Sequence, residues 1–225
     1  MSPVCKKIAL FLIIGFVFIA QSAIASDYYH QYYEVTVTNI TKGQIFTPIM
    51  VASTKHHSQL FTLGEAASSE LETIAESGNP MPLANQLVDM NKALEVATHD
   101  DVLLPGQSVT LKVKTNKKFS HVSVAAMLVP TNDAFFAVNS IHGPKGKHPI
   151  TVLAPAYDAG TENNDESCMT IPGPPFICQG EGVSSDQGEG FVHIHSGMHD
   201  IGDISAAQHD WRGPVAKIMI QRVHH

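Results

Sequence analysis

The chain has 225 residues, 21 acidic side chains against 14 Lys and Arg, and a formal net charge of −7. That length is enough to bury one sizeable core, and the acidic balance argues against nucleic acid or an anionic membrane surface as the partner. The sequence contains no G-x-S-x-G, no H-E-x-x-H and no phosphate-binding glycine loop, so the common hydrolase and nucleotide-binding classes have no motif to rest on.

At the N-terminus Lys6 and Lys7 precede an apolar run from Ile8 to Ala20, and Ala23-Ile24-Ala25 stands before Ser26. This is the pattern of a secretory signal peptide with cleavage after Ala25. The run is shorter than the ~20 residues of a bilayer span, and no later segment approaches it, so no transmembrane segment is expected. Cys5 lies ahead of the run, where a lipoprotein cysteine does not stand. Loss of Lys6 and Lys7, with no acidic residue among the first 25, takes the charge from −7 to −9. Residues 26–225 are expected to form one secreted domain, periplasmic or extracellular.

Tyr33, Val35 and Val37 alternate with Glu34, Thr36 and Thr38, which predicts a half-buried strand over 32–39. Lys42-Gly43 signals a turn, and 45–52 reads as its partner strand. Leu60, Leu63, Ala67, Leu71 and Ile74 follow a helical rhythm, with Thr62 and Glu65 spaced as a capping box and Gly78 as a stop. A helix of about fourteen residues is expected there, and a weaker one over 83–91. The strand period returns at Val109, Leu111 and Val113, after the turn Leu104-Pro105-Gly106-Gln107, and continues at 121–128, 135–138, 150–153, 191–195 and 216–221. Eight strands with one or two helices between early strands predict a mainly β protein, an antiparallel β-sandwich.

Two acidic clusters follow apolar runs. One is Pro130-Thr131-Asn132-Asp133-Ala134-Phe135, the other Tyr157-Asp158-Ala159-Gly160-Thr161-Glu162. Strand ends that carry carboxylates into loops can gather oxygens around one hard cation, so Asp133, Asp158 and Glu162 are candidate Ca²⁺ ligands, with Asn132, Asn164 and Asp165 nearby. The same aspartates also suit the capping of turns. Cys168 and Cys178 are the only cysteines beyond residue 25, and an oxidising compartment predicts a disulfide between them. It would close a Pro- and Gly-rich loop and contribute about 2–3 kcal/mol in the loop-entropy account. Two thiolates on a metal is the other reading of the pair.

Phe191-Val192-His193-Ile194-His195 reads as a strand that turns Val192 and Ile194 inward and both histidines to one face. His199 returns after Gly197. The set suits Zn²⁺ or Cu²⁺, with Asp203 as an added ligand or base, and it equally suits solvent-facing histidines packed on loops. Trp211, the one tryptophan, reads as a core anchor.

The Pro-Thr-Asn-Asp-aromatic segment followed by Tyr157-Asp158-Ala159-Gly160-Thr161-Glu162 resembles the spondin domain, the module of F-spondin and mindin that also occurs in secreted bacterial proteins. The resemblance runs in segment order from about Tyr33 to Val223. It implies a C2-like antiparallel sandwich with bound calcium, used for extracellular adhesion or recognition of a protein or glycan, with Asp133, Asp158 and Glu162 at the metal. The chain departs from the animal pattern where Ala134-Phe135 replaces the Trp after the first Asp. The expected function is a non-catalytic calcium-binding recognition module. The alternative is a zinc- or copper-binding protein or metal-dependent hydrolase centred on His193, His195 and His199.

Overall fold

A computed structural model describes residues 31–183 and 188–224, so the signal-peptide reading of residues 1–25 lies outside the described residues. Along the chain run β1 (Gln31–Asn39), β2 (Ile45–Phe46), β3 (Ile49–Thr54), α1 (Ser69–Ser77), α2 (Met81–Asp89), β4 (Ala93–His99) and β5 (Ser108–Thr115). Then come β6 (His121–Val129), β7 (Ala134–His142), β8 (Ile150–Ala154), β9 (Ala156–Asp158), β10 (His193–Ile194), α3 (Ala206–His209) and β11 (Ala216–His224). One sheet has the order β5-β1-β11-β8 and the other β10-β9-β7-β6-β3-β4, with β2 added beside β6. Neighbouring strands pair antiparallel throughout, and the two sheets form the expected sandwich.

Strand alternation builds three layers. Val35 and Val37 of β1, Val113 of β5 and Ile218 and Ile220 of β11 meet Val122, Val124, Ala126 and Leu128 of β6 and Phe136 of β7 in the core between the sheets. The other face of the second sheet carries Met50, Ala52, Ala125, Phe135 and Ala137, packed under Leu71 and Ile74 of α1 and Leu83 and Leu87 of α2. Small residues at 52, 125 and 137 let the helices lie close. Consequently β6 is buried along its whole length. The outward face of the first sheet is polar, where Thr36 and Thr38 share hydroxyl hydrogen bonds with Thr110 and Ser108 at 2.8 Å each.

The elements depart from expectation in several places. Residues 45–52, read as one strand partnering 32–39, instead form β2 and β3, both beside β6 in the second sheet, while β1 pairs with β5 and β11 in the first. The first helix starts at Ser69, not near Leu60: Ser68 is its N-cap, accepting from the Leu71 N–H, and Gly78 ends it with φ 67° as expected. Residues 60–66 cannot coil because their backbone is committed elsewhere. Asn139 bonds both the Leu60 N–H and the Phe61 carbonyl, and Val192 exchanges hydrogen bonds with Gly64 and Glu65. The strand β4, not anticipated, joins the edge of the second sheet beside β3, where half-exposed positions blur the alternation. Finally, the strand expected over 150–153 is β8, and beyond Pro155, which cannot supply a ladder N–H, an unanticipated short strand, β9, lies in the other sheet. That crossing delivers Asp158 to the second sheet.

Phe136 is fully buried between the sheets, its ring 4.4 Å from that of Phe46. Phe136→Ala is expected to lower unfolding free energy by about 3–5 kcal/mol, whereas Phe176→Ala at an exposed loop position should stay within about 0.5 kcal/mol. Urea titrations of the two variants check this, and equal costs would contradict the layer assignment.

Candidate metal centre

Asp133 immediately precedes β7 and Asp158 ends β9, and these two strands are neighbours with Ala134 opposite Asp158. The two carboxylates are thus placed side by side by sheet register. The chain then turns at Gly160, whose φ is 69° and whose added Cβ would lie 2.3 Å from the Phe191 carbonyl oxygen, so a side chain there meets backbone. The turn aims the backbone N–H groups of Thr161 and Glu162 at Asp133 Oδ2, at 2.8 and 3.2 Å. Asp158 accepts from the Gly160 N–H at 2.8 Å and from Asn164 Nδ2 at 2.7 Å.

Asp133, Asp158 and Glu162 are 0, 1 and 2 % exposed. Among the described residues no Lys or Arg forms a salt bridge with any of the three, and the one such bridge among them joins Arg212 to Asp210. Asp133 Oδ1 and both carboxylate oxygens of Glu162 are buried without a hydrogen-bond partner. Asn132 lies close to Glu162, but its amide hydrogens are committed to Asp165 and Thr170 at 3.0 Å each. Burial, then the neighbouring Asp158 charge, push the Asp133 carboxyl up to about 7. Burial, then Glu76 and Asp133, push Glu162 up to about 8. Buried charge of this kind is neutralised by a proton or by a cation. Three bare oxygens on two carboxylates match the donor set of a hard divalent ion.

The histidine segment separates into two groups. His193 and His195 both approach Asp158, with Nε2 atoms 3.5 Å from Oδ1 and 3.9 Å from Oδ2. His199 goes to Glu166 instead, Nδ1 to Oε1 at 3.7 Å, and to Ser196 Oγ at 3.3 Å. Asp203 accepts from the Cys168 N–H at 2.9 Å. Val192 is buried as expected, but Ile194 is 55 % exposed, which corrects the inward reading. The strand there spans only two residues, on the outer edge of the sheet, so no layer covers Ile194. Trp211 is buried in the core between the sheets, its ring 5.0 Å from that of His195.

Burial pushes His195 down to about 4. Burial also pulls His193 down, but the Ile194 carbonyl and the Asp158 and Glu189 carboxylates outweigh it and the net shift is upward. Cys168 and Cys178 are joined in a disulfide.

Several residues of this region carry no signal in a local motif. Glu166 is buried with φ 55° and accepts from the His199 and Ile201 N–H groups, which fixes the 196–203 loop. Glu76 reaches the acidic cluster from α1, and Glu189 reaches His193 from the preceding loop. Among the described residues, the three side chains whose ligand atoms all lie within 4.8 Å of one another are Asp158, Glu189 and His193. Asp133 and Glu162 adjoin that group and are not part of it. A separate set, His56, His57, His121 and His142, makes edge-on and tilted ring contacts at the other end of β6, with successive centroids 3.4 to 5.0 Å apart.

The family model described as Spondin_N matches residues 25–172, well over half of the chain. No curated protein matches the chain.

The raised carboxyls set the pH response of metal-free protein. Their folded values of about 7 and about 8 exceed the ordinary 3.8 and 4.5, so the folded state keeps protons that the unfolded chain has released, and stability falls as pH rises through those values. His195, lowered to about 4 from 6.5, acts oppositely, but only below about pH 6.5. Above that the carboxyls decide. In chelator the melting temperature should fall between about pH 6.5 and pH 8, and Glu162→Gln should flatten the fall; a rise across that window would contradict this account of the cluster.

Proposed function

Because the chain belongs to the spondin N-terminal domain family, an extracellular recognition-type module, we propose that it acts as a secreted calcium-binding recognition module spanning residues 26–225. Its loops are held in shape by Ca²⁺ on Asp133, Asp158 and Glu162. The observation that carries this reading is the set of buried oxygens without partners, Asp133 Oδ1 and both Glu162 Oε atoms, at a place where, among the described residues, no Lys or Arg forms a salt bridge. Calcium supplies the missing positive charge, and the surrounding carbonyl and amide oxygens of residues 132–165 complete a flexible oxygen shell.

The recognition role follows from what the acidic loops support. Asn132, next to Asp133, bonds Asp165 and Thr170, and Thr170 lies inside the loop closed by Cys168 and Cys178. That loop presents Met169 and Phe176 to solvent, 79 and 78 % exposed. Apolar side chains held out on a cross-linked loop offer contact area to a protein or glycan at low ordering cost. Among the described residues no helix is long and apolar enough to cross a membrane. The disulfide accords with an oxidising compartment outside the cytosol. Adhesion or recognition needs no reacting group, and the family is generally non-enzymatic.

A ligand that binds only the folded state stabilises by RT ln(1 + [L]/Kd), about 2.7 kcal/mol when free calcium is a hundredfold above Kd. The melting temperature should therefore be higher in millimolar calcium than in excess chelator. Glu162→Gln keeps size and loses no hydrogen bond of the metal-free form, so it should abolish the calcium shift while melting no lower than wild type in chelator. Coincident wild-type curves with and without calcium, or an undiminished shift in Glu162→Gln, would overturn the reading.

A further inference from the structure

We propose that Asp158, Glu189 and His193 form a second metal site, for a divalent transition ion of which zinc is the best chemical match, with His195 as the positioning residue beneath it. The site shares Asp158 with the proposed calcium set, and its own ligands are Glu189 and His193, neither of which belongs to that set. Its histidines lie beyond residue 172, outside the part of the chain that the family match covers.

His193 Nε2 stands 3.5 Å from Asp158 Oδ1 and 3.5 Å from Glu189 Oε2, and the three ligand atoms all fall within 4.8 Å of one another. Those separations exceed an ordinary N–H···O hydrogen bond of about 2.7–3.2 Å. The two His193 distances match the edge of a tetrahedron, roughly 3.3–3.6 Å, whose centre is about 2.0–2.2 Å from each ligand, as for zinc with imidazole and carboxylate. The His193 tautomer is also set for a metal. Nδ1 donates to the Ile194 carbonyl at 3.1 Å, which leaves the Nε2 lone pair bare, and Nε2 is buried without a hydrogen-bond partner. An imidazole nitrogen in the set selects a borderline transition ion over calcium, which prefers oxygen throughout.

The independent observation comes from His195. Its side chain is 4 % exposed, its Nε2 has no partner, and that atom is aimed at Asp158 Oδ2 from 3.9 Å. Its Nδ1 accepts from the Gly197 N–H at 3.0 Å, so in the neutral ring the hydrogen sits on Nε2. At 3.9 Å it makes no hydrogen bond in the metal-free form, where Gly160 and Asn164 hold Asp158; in the metal-bound form it stands as the outer partner behind the ligating carboxylate. Glu189 is half-exposed between Gly188 and Gly190, which gives the ion an entry path and leaves the fourth position to water.

The test uses the mature, disulfide-bonded protein saturated with calcium, titrated with Zn²⁺ by calorimetry and with Co²⁺ by visible absorption. Wild type should bind Zn²⁺ at a site that gives the intense bands of low-coordinate cobalt. His193→Ala and Glu189→Gln, both at partly exposed positions, should each weaken that binding by at least about tenfold to a hundredfold, the range that changes around metal ligands reach. His195→Asn should weaken it within the same range while keeping a shifted cobalt spectrum, and His199→Ala should leave it unchanged. Glu162→Gln, which removes the calcium shift, should retain zinc, so that failure of one site is told from failure of the other. Calcium-loaded melting curves confirm that each variant is folded. Absence of zinc binding in wild type, undiminished binding in His193→Ala, or loss in His199→Ala would each overturn the proposal.

Discussion

Burial of β6 on both faces is the constraint from which the rest of the arrangement follows. A strand in the middle of three layers must be apolar or small at nearly every position, and His121–Val129 meets this with Val122, Val124, Ala126 and Leu128 toward the first sheet, Ala125 under the helices, and Met127 and Val129 packed with Ile45. Its neighbour β7 is locked in register by Phe135 and Phe136, which point to opposite cores. A one-residue slip would exchange those faces, so the register is fixed strongly. Asp133 sits one residue before that locked strand, and its position is therefore as rigid as the core itself.

The price of that rigidity is electrostatic. Loops fastened to a buried sheet end bring Asp133, Asp158, Glu162 and Glu76 together in a buried region, and desolvation raises Asp133, which has one oxygen without a donor, and Glu162, which has two. Asp158 differs in being satisfied on both oxygens by Gly160 and Asn164. It stands between two kinds of surroundings, oxygen donors on the Asp133 side and imidazoles on the His193 side. The same carboxylate therefore borders a hard-cation environment and a nitrogen-containing one, and what separates them is the direction from which β7 and β10 approach β9.

Much of this was legible in the sequence, for reasons particular to each segment. Period-two alternation marked β1, β5 and β11 because one face of the first sheet is solvated. The grouping of Asp133 with Asp158 was read from acidic clusters placed just past apolar strand runs, and the resemblance carried by the same two motifs pointed to the same residues. The disulfide followed from cysteine count. The start of α1 was misplaced because Leu60 and Leu63 fit a helical period while Asn139, 79 residues away from Leu60, claims the backbone there. Glu166 and Glu189 carried no local signal: each acts on a partner brought near by the fold, across 33 residues for His199 and across a loop turn for His193. His199 shares its local pattern with His193 and His195, and only the position of Glu166 separates it from them.

Metal dependence is a reasonable solution for loops of this composition. The segment from Asn163 to Gly182 is rich in Pro, Gly and acidic residues and buries few side chains of its own, Ile171 and Cys178 among them. Such a stretch cannot offset its ordering entropy by apolar burial. It is fixed instead from its ends and its middle: the disulfide ties 168 to 178, Asn132 holds Asp165 and Thr170, and Glu166 binds the 199–201 backbone. The Asn132 and Glu166 ties lead back to residues next to Asp133 and to the histidine loop. A cation at Asp133 and Glu162, as proposed, would act on that loop face, whereas the sandwich beneath is held by its own apolar layers.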